Sequence, residues 1–247
     1  MLAKIASTEG FHFEDTLTGF KWIGTRAAEL ARNDNYASLF CFEEALGFCC
    51  GGVIFDKDGI SAMAVFAQLA CSVYSNNNNN STVDGHLQSL YDKYGEFVCQ
   101  NGYYKFHDRS VVAQVFRDFG CGDPDKDGSS SSYPTEIGPY TISSIRYLGL
   151  PAYDSTKADK KPTLPTSKSS PMLTITFHNG CVAQFRPSGT ENKFKYYLEM
   201  RGQPGVVRKN VEAALTTMKD VVLEEFFQVK EGVDSKDRGD RALLWKP

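Results

Sequence analysis

The sequence predicts an α/β unit followed by an α+β unit that is built on an antiparallel sheet. Three observations indicate this fold class. In the first third of the chain, short apolar runs alternate with stretches of helical periodicity, which is typical of β-α-β-α order. Two runs of alternating polar and apolar residues flank Asn179-Gly180 and indicate a β-hairpin. An amphipathic stretch at residues 206–227 then predicts a helix that packs on the second sheet.

The chain up to the hinge at Gly95 is predicted to contain four helices and a short strand. The stretches with helical periodicity are residues 1–9, 26–32, 60–74 and 83–94. The run at 38–42 predicts a buried strand, and the acidic residues Glu43 and Glu44 follow it directly. Asp58 stands just before the third helix and can cap its N terminus. Gly95 follows the fourth helix and suits a hinge.

The second unit contains strand patterns at residues 96–107, 140–148, 172–185 (the hairpin) and 193–201, and helix patterns at 111–119 and 206–227. Within the hairpin, Asn179-Gly180 accepts positive φ at both central positions, so we expect a type I′ turn. In the last strand, Phe194 and Leu198 lie on the apolar side and Lys195 on the polar side. We place the boundary between the units at 84/85, so that they cover residues 1–84 and 85–247.

Composition excludes several classes of protein. The chain has 247 residues with 27 Lys and Arg against 30 Asp and Glu, a formal net charge of −3, so a nucleic-acid or anionic-membrane partner is not expected. Seven cysteines are scattered without C-x-x-C spacing, which indicates reduced thiols rather than a metal or redox site. We find neither a signal-peptide pattern nor a membrane-spanning run, and therefore expect a soluble, cytoplasmic protein.

The strongest candidate site is the loop that follows the hairpin. Arg186 offers a bidentate cation, Ser188 and Thr190 offer hydroxyls, and Gly189 lets consecutive backbone N–H groups turn towards an anion. Lys195 adds a second cation from the next strand. These residues predict a phosphate-binding loop. From composition alone, an ordinary glycine-containing loop between two strands remains the alternative.

A second candidate site lies in the first unit. Glu43 and Glu44 offer several acceptor oxygens at a strand end, where they could bind sugar hydroxyls. Lys57, in a turn, could reach a sugar or phosphate oxygen. The alternatives are a pair of solvated acids and an ordinary surface lysine. Phe20 and Trp22 could form the apolar side of a ligand-binding site, although core packing is the favoured interpretation for both.

Four motifs occur in the order found in α-D-phosphohexomutases: TGFKWI at 18–23, FEEALG at 42–47, DKDG at 56–59 and RPSGTE at 186–191. The chain resembles this superfamily over essentially its whole length. The spacing and the LPTSKSS run at 164–170 are most similar to the phosphoglucomutase-2-like and phosphopentomutase branch. Ala45, where glucose-preferring relatives have Ser, also favours the pentose-capable branch.

That superfamily has four domains around one cleft, and this chain is similar to the third and fourth only. The resemblance implies a truncated third domain, with a three-layer mixed sheet and helices, and an α+β fourth domain. It implies sugar-binding roles for Thr18, Gly19, Glu43, Glu44 and Lys57. It also implies that the non-reacting phosphate is held by Arg186, Ser188, Gly189, Thr190 and Lys195.

The motifs that carry the family's chemistry are absent from this sequence. It has neither the phosphorylated serine in a Ser-His-Asn-Pro setting nor the Asp-rich magnesium loop. The resemblance therefore implies the C-terminal part of a sugar-phosphate mutase, with Mg²⁺ in the complete enzyme but not in this chain, and with no activity of its own. Its partners would be a sugar phosphate or bisphosphate and the missing N-terminal mutase domains. The alternative is a non-catalytic sugar-phosphate-binding or interaction protein.

Overall fold

The computed structural model describes residues 1–43, 46–75, 81–121 and 133–228, and the backbone of 244–245. The chain divides into two compact units, Met1–Tyr94 and Gly95–Pro247. The expected boundary at 84/85 falls inside the first unit, near the start of helix α4 (Val83–Tyr94). This helix packs against α3 (Gly59–Ser75), and the Tyr94 hydroxyl donates a hydrogen bond to Glu9, 2.7 Å away. Such contacts keep the whole of α4 with the N-terminal residues.

The first unit is a mixed α/β structure. Besides α3 and α4, its elements are α1 (Leu2–Glu9), α2 (Phe20–Asn33), β1 (Phe40–Glu43) and β2 (Gly47–Cys50). In its described part, the sheet consists of the antiparallel pair β1 and β2, with Phe40 opposite Cys50 and Glu43 opposite Gly47. Helix α2 begins before the expected range of 26–32, directly after Gly19, whose φ of 113° turns the chain into the helix.

The first unit buries few large apolar side chains. The strand β1, which the sequence predicts to be buried, leaves Phe40 44% and Phe42 45% exposed. On α3, Met63 and Phe66 are also more than half exposed, and Val73 is the buried residue. The four helices and the strand β1 form where the sequence predicts them, but β2 was not predicted and the elements do not alternate as β-α-β-α. The expected burial of β1 was wrong.

The second unit is an α+β structure. Its elements are β3 (Phe97–Phe106), α5 (Ser110–Asp118), β4 (Glu136–Ile137), β5 (Tyr140–Tyr147), β6 (Tyr153–Asp154), β7 (Leu173–Phe177), β8 (Val182–Pro187), β9 (Lys193–Arg201), α6 (Arg208–Phe227) and β10 (Leu244–Trp245). The sheet has the order β10-β3-β9-β8-β7-β5-β4, with β6 beside β5, and its paired strands are antiparallel. The α+β prediction is confirmed.

An aromatic core holds the helices of this unit against the sheet. The rings of Phe185 on β8 and Phe226 on α6 stack with centroids 3.9 Å apart, and Phe116 of α5 packs on the same Phe226. In β9, Phe194, Tyr196 and Leu198 are buried, while Lys195 and Tyr197 between them are partly exposed, as the alternating pattern predicts. The sheet therefore has one core face and one polar face.

The hairpin of β7 and β8 forms as predicted, but its turn differs. Gly180 has a φ of 84°, whereas Asn179 is outside the positive-φ region, so the turn is not type I′. The Phe177 amide donates to the carbonyl of Cys181, and the Gly180 amide donates to the carbonyl of Phe177. The loop therefore has three residues, and the Asn179 side chain accepts a hydrogen bond from the Cys181 amide instead of adopting positive φ.

Candidate functional site

The acidic end of β1 carries the first cluster of candidate residues. The Glu43 side chain is only 11% exposed, and its Oε2 lies 2.9 Å from the Nζ of Lys57. The ion pair joins two residues that sequence analysis selected independently. Glu44, the other acid of the pair, lies outside the described residues, as does Ala45. One carboxylate oxygen of Glu43, Oε1, has no partner among the described residues.

Close packing against β2 directs Lys57 towards Glu43. A Cβ on Gly47 would overlap the aliphatic part of the Lys57 side chain, so the lysine can cross the strand only because residue 47 is glycine. The turn that carries Lys57 is fixed to β2, since the Asp58 amide donates to the Phe48 carbonyl at 2.9 Å. Asp58 also caps α3, as predicted, and its pKa is lowered chiefly by the Ser61 hydroxyl.

The start of α2 lies beside the same lysine. Thr18 is exposed, and Gly19 immediately precedes the helix. Phe20, the first residue of α2, is buried, and its ring centroid is 5.9 Å from Lys57 Nζ. The first unit therefore brings the residues after Thr18-Gly19 together with Lys57 and Glu43. Phe20 is buried, in agreement with the prediction that it packs in the core. Its ring also lies beside the Lys57 ammonium group.

The second cluster lies on the polar face of the sheet in the other unit. Arg186 on β8 and Lys195 on β9 are directly opposite in the ladder, so their side chains project from the same face. Within the described part of the chain, neither has a carboxylate at ion-pair distance. The Arg186 guanidinium instead lies over Tyr197, 5.8 Å from the ring centroid. Like charges in this position are destabilising unless an anion joins them, so the arrangement is typical of an anion site.

The loop after Arg186 is closed by its own hydrogen bonds. The Ser188 amide donates to the Lys193 carbonyl at 2.8 Å, and the buried Ser188 hydroxyl accepts from the Glu191 amide at 3.3 Å. Lys193 pairs with Glu191 at 2.7 Å, which lowers the pKa of that carboxyl. By contrast, the amides of Gly189 and Thr190 have no acceptor among the described residues. The loop thus presents two adjacent donors beside two cations.

Gly189 serves the loop differently from the expectation. Its φ lies outside the left-handed region, so the backbone does not require glycine there. A Cβ at this position would meet nothing within 4 Å. The described structure therefore gives no steric requirement for glycine at this position.

Sequence reasoning missed two residues that hold this loop. Arg109, in the turn before α5, donates from Nη2 to the carbonyl oxygens of Ser188 at 3.1 Å and Gly189 at 3.4 Å. It is 79 residues away from Ser188, so no local pattern could reveal it. Tyr197, which supports Arg186, could have been found, because it lies two residues after Lys195 on the same side of a strand.

Metal-binding side chains do not converge in the described part of the chain: no three His, Cys, Asp or Glu residues are placed to hold an ion. Among the helices described, none is both long and apolar enough to cross a bilayer.

Comparison with known proteins identifies the family of the chain. Residues 1–94 match the model of phosphoglucomutase/phosphomannomutase, alpha/beta/alpha domain III. Over 229 residues, the chain is 41% identical to phosphopentomutase of Homo sapiens. This alignment covers 92% of this chain and 36% of the human protein. The chain belongs to the α-D-phosphohexomutase superfamily.

Other members of the superfamily are matched over a similar extent. Glucose 1,6-bisphosphate synthase of Mus musculus is 38% identical, over 100% of this chain and 37% of its own length. Phosphoribomutase of Saccharomyces cerevisiae is 40% identical, over 81% of this chain and 32% of its own. The chain therefore spans about a third of the length of these relatives and corresponds to their C-terminal part.

A solved structure shares the fold. The open form of pp63/parafusin, a phosphoglucomutase from Paramecium, superposes with a TM-score of 0.60 at 18% identity, over 91% of this chain and 35% of that one. The α/β and α+β prediction therefore agrees with the architecture of a phosphohexomutase structure.

Proposed function

We propose that this chain is the substrate-binding C-terminal part of a sugar-phosphate mutase of the phosphoglucomutase or phosphopentomutase type. In this role the first unit binds sugar hydroxyls through Glu43, Glu44 and Lys57, with Thr18-Gly19 beside them. The second unit binds the phosphate that is not reacting. The observation that carries the proposal is the opposed pair Arg186 and Lys195, which lie next to the amides of Gly189 and Thr190. In the described part of the chain, neither cation has a carboxylate at ion-pair distance and neither amide has an acceptor.

The described contacts suit each part of such a ligand. Lys57 fixes one oxygen of the Glu43 carboxylate and leaves Oε1 to accept a hydrogen bond from a sugar hydroxyl. Arg186 and Lys195 supply charge-assisted hydrogen bonds to a phosphate, and the two amides supply uncharged ones. The ligand class is therefore a sugar phosphate or sugar bisphosphate.

The contribution to catalysis is positioning. A mutase transfers a phosphoryl group from a phosphoserine to the sugar, and the bisphosphate then reorients and returns its other phosphate to the serine. By fixing the phosphate that is not reacting, this chain presents the opposite end of the sugar to the serine. Positioning of this kind supplies up to about 7–11 kcal/mol of barrier reduction. The described residues do not fit a Mg²⁺ site, so we assign magnesium binding to residues of the longer mutase.

The exposed apolar side chains of the first unit support the proposal that the chain is part of a longer mutase. Phe40, Phe42 and Phe48 are exposed on β1 and β2, and Met63 and Phe66 are exposed on α3. Several large apolar side chains exposed on one small unit are typical of an interaction site. We assign it to contacts with the mutase domains that the longer relatives contain, rather than to an independent binding protein.

A titration of the ¹⁵N-labelled chain with ribose 5-phosphate tests the phosphate loop. We expect the amide signals of Ser188, Gly189 and Thr190 to shift with millimolar affinity. Arg186→Ala should weaken binding by about 1.5–3 kcal/mol, the contribution of a charge-assisted hydrogen bond. Arg117→Ala removes the same charge from the outer side of α5 and should leave the affinity unchanged. Absence of shifts in the loop of the unaltered chain would contradict the proposal.

A second ligand separates the sugar site from the phosphate site. Inorganic phosphate has no sugar hydroxyls, so it should shift the 186–190 loop and leave the signals of β1 and β2 in place. Ribose 5-phosphate should shift both, and Glu43→Gln should weaken the binding of ribose 5-phosphate without changing that of inorganic phosphate. Equal effects of Glu43→Gln on both ligands would argue against hydroxyl binding by this residue.

A coupled mutase assay on the chain by itself should stay at background, because in-line phosphoryl transfer needs a nucleophile that the sequence does not supply. Magnesium-dependent turnover by this chain without any other protein would contradict the proposal that this chain only binds substrate while other domains carry out phosphoryl transfer.

A further inference from the structure

The phosphate loop is held by a cation from outside the motif. We propose that Arg109 is a positioning residue that orients the amides of Gly189 and Thr190 towards the bound phosphate. This inference rests on the proposed function of the loop. It assigns to Arg109 a task separate from those of Arg186 and Lys195, which contact the anion directly.

The guanidinium of Arg109 engages the backbone of the loop rather than a carboxylate. Its Nη2 donates to two successive carbonyl oxygens, those of Ser188 and Gly189, at 3.1 and 3.4 Å. Hydrogen bonds from a charged donor are about twice as strong as those between neutral groups. One side chain therefore restrains two adjacent peptide planes.

The planarity of the peptide bond converts that restraint into an orientation of donors. The Ser188 carbonyl shares a peptide plane with the Gly189 amide, and the Gly189 carbonyl shares one with the Thr190 amide. In a trans peptide the C=O and N–H point in opposite directions. Since Arg109 holds the two carbonyls, both amides point away from its guanidinium, and these are the amides that lack an acceptor in the described structure.

The turn that carries Arg109 is itself anchored on both sides. The Phe106 amide at the end of β3 donates to the Asn192 carbonyl at 3.2 Å, which ties this turn to the far end of the loop. After Arg109, Val111 and Val112 are buried in the core of the second unit, 3% and 5% exposed. Asp108 caps the turn by accepting a hydrogen bond from the Ser110 amide at 2.8 Å. The guanidinium therefore projects from a fixed point.

Three variants of the full chain test this role: Arg109→Ala, Arg109→Lys and, as a control of equal charge, Arg117→Ala. Inorganic phosphate is the ligand, and ¹H–¹⁵N spectra report both affinity and the heteronuclear NOE of the loop amides. We expect Arg109→Ala to raise the Kd on the order of tenfold, by analogy with metal sites, where loss of a residue that orients a ligand has an effect of this size. The NOE of Gly189 and Thr190 should fall before any ligand is added. Arg109→Lys, which keeps a charged donor, should recover part of both effects.

The salt dependence distinguishes positioning from direct contact. If Arg109 only orients the loop, the slope of log Kd against log salt stays the same in Arg109→Ala, because no phosphate contact has been lost. A reduced slope with unchanged NOE values would identify Arg109 as a phosphate ligand and overturn the inference. Equal affinity in Arg109→Ala and the unaltered chain would also overturn it. If the unaltered chain fails to bind phosphate, the proposed function of the loop fails, while the NOE comparison still decides whether Arg109 orders it.

Discussion

The two units differ in where they keep their apolar side chains. In the second unit, rings from β8, β9, α5 and α6 pack into one cluster, and Phe185, Phe194 and Phe227 are completely buried. In the first unit, the aromatic residues of β1 and the apolar residues of α3 lie at the surface; Phe66, for example, is 57% exposed. The first unit has the secondary structure of its domain but little of an interior.

This difference shows that secondary structure and a stable core are separate properties of a chain. Local periodicity and caps such as Asp58 are enough to specify the helices of the first unit. Most of the stability of a helix nevertheless comes from packing of its apolar face, and α3 buries only Val73. We therefore expect stability to be concentrated in the second unit, which also carries the proposed phosphate loop.

The largest expected effect is a loss of core packing in the second unit. Phe226→Ala removes a ring that stacks on Phe185 and contacts Phe116, Phe119 and Phe194, and it should lower the free energy of unfolding of this unit by about 3–5 kcal/mol. The measurement is urea unfolding followed by NMR signals of β8 and β9.

The matched control removes the same ring from the first unit. Phe66→Ala on α3 should change the unfolding of either unit by less than about 0.5 kcal/mol, because the side chain is already largely exposed. A large destabilisation by Phe66→Ala would mean that α3 is covered in solution, and the contrast between the units would not hold.

A smaller effect concerns local opening, which two buried thiols can report. Cys49 in β2 and Cys181 beside β8 are both fully buried, and burial raises their pKa values to about 11 and about 12. In variants that retain one cysteine each, Cys49 should react with a thiol reagent at least about tenfold faster than Cys181, once each rate is divided by that of the unfolded chain. Equal protection of the two thiols would show that the units open together.

The smallest effect is an acid sensitivity confined to the first unit. Arg26 holds the Glu14 carboxylate in two hydrogen bonds, which together with His12 lower its pKa from 4.5 to about 2. A carboxyl with a lowered pKa stabilises the fold above its ordinary pKa, and this contribution is lost as the pH falls from 4.5 towards 2. The contribution should be small, since the pair is partly exposed to solvent.

The Glu14→Gln variant removes the titrating group and should flatten this part of the pH profile of α2 signals. The signals of β8 and β9 provide the internal control, because they should be the same in both proteins. An unchanged acid profile of α2 in the variant would assign the sensitivity to another group.

Sequence patterns were sufficient where the determinant is local. The alternation in β9, the hairpin of β7 and β8, and the capping of α3 by Asp58 each depend on residues that are neighbours in the chain. The turn type was wrong because Asn179 uses its side chain to accept a hydrogen bond, an option that competes with positive φ.

Sequence patterns did not predict features that depend on contacts with residues distant in the chain. An apolar run such as 38–42 predicts a strand, but it does not show whether another element packs on that strand. The exposure of β1 could therefore not be predicted from the sequence. The residues around Gly47 do not indicate that the aliphatic part of the Lys57 side chain packs against this glycine. Arg109 reaches its loop only after the sheet has formed. At the candidate site, the motif residues were accessible to sequence reasoning, and the residues that hold them in place were not.

The ladder of β1 and β2 also governs how the chain behaves at high concentration. Among the described residues no further strand pairs with β1 or β2, although the Asp58 amide binds the Phe48 carbonyl. The rings of Phe42 and Phe48 each lie against that of Phe40 and form an aromatic cluster on this pair. An uncovered strand edge with apolar side chains is a template for pairing with another molecule. Preparations of the chain should therefore lose solubility as they are concentrated, and a charged residue in place of Phe42 should delay precipitation without altering the sheet of the second unit.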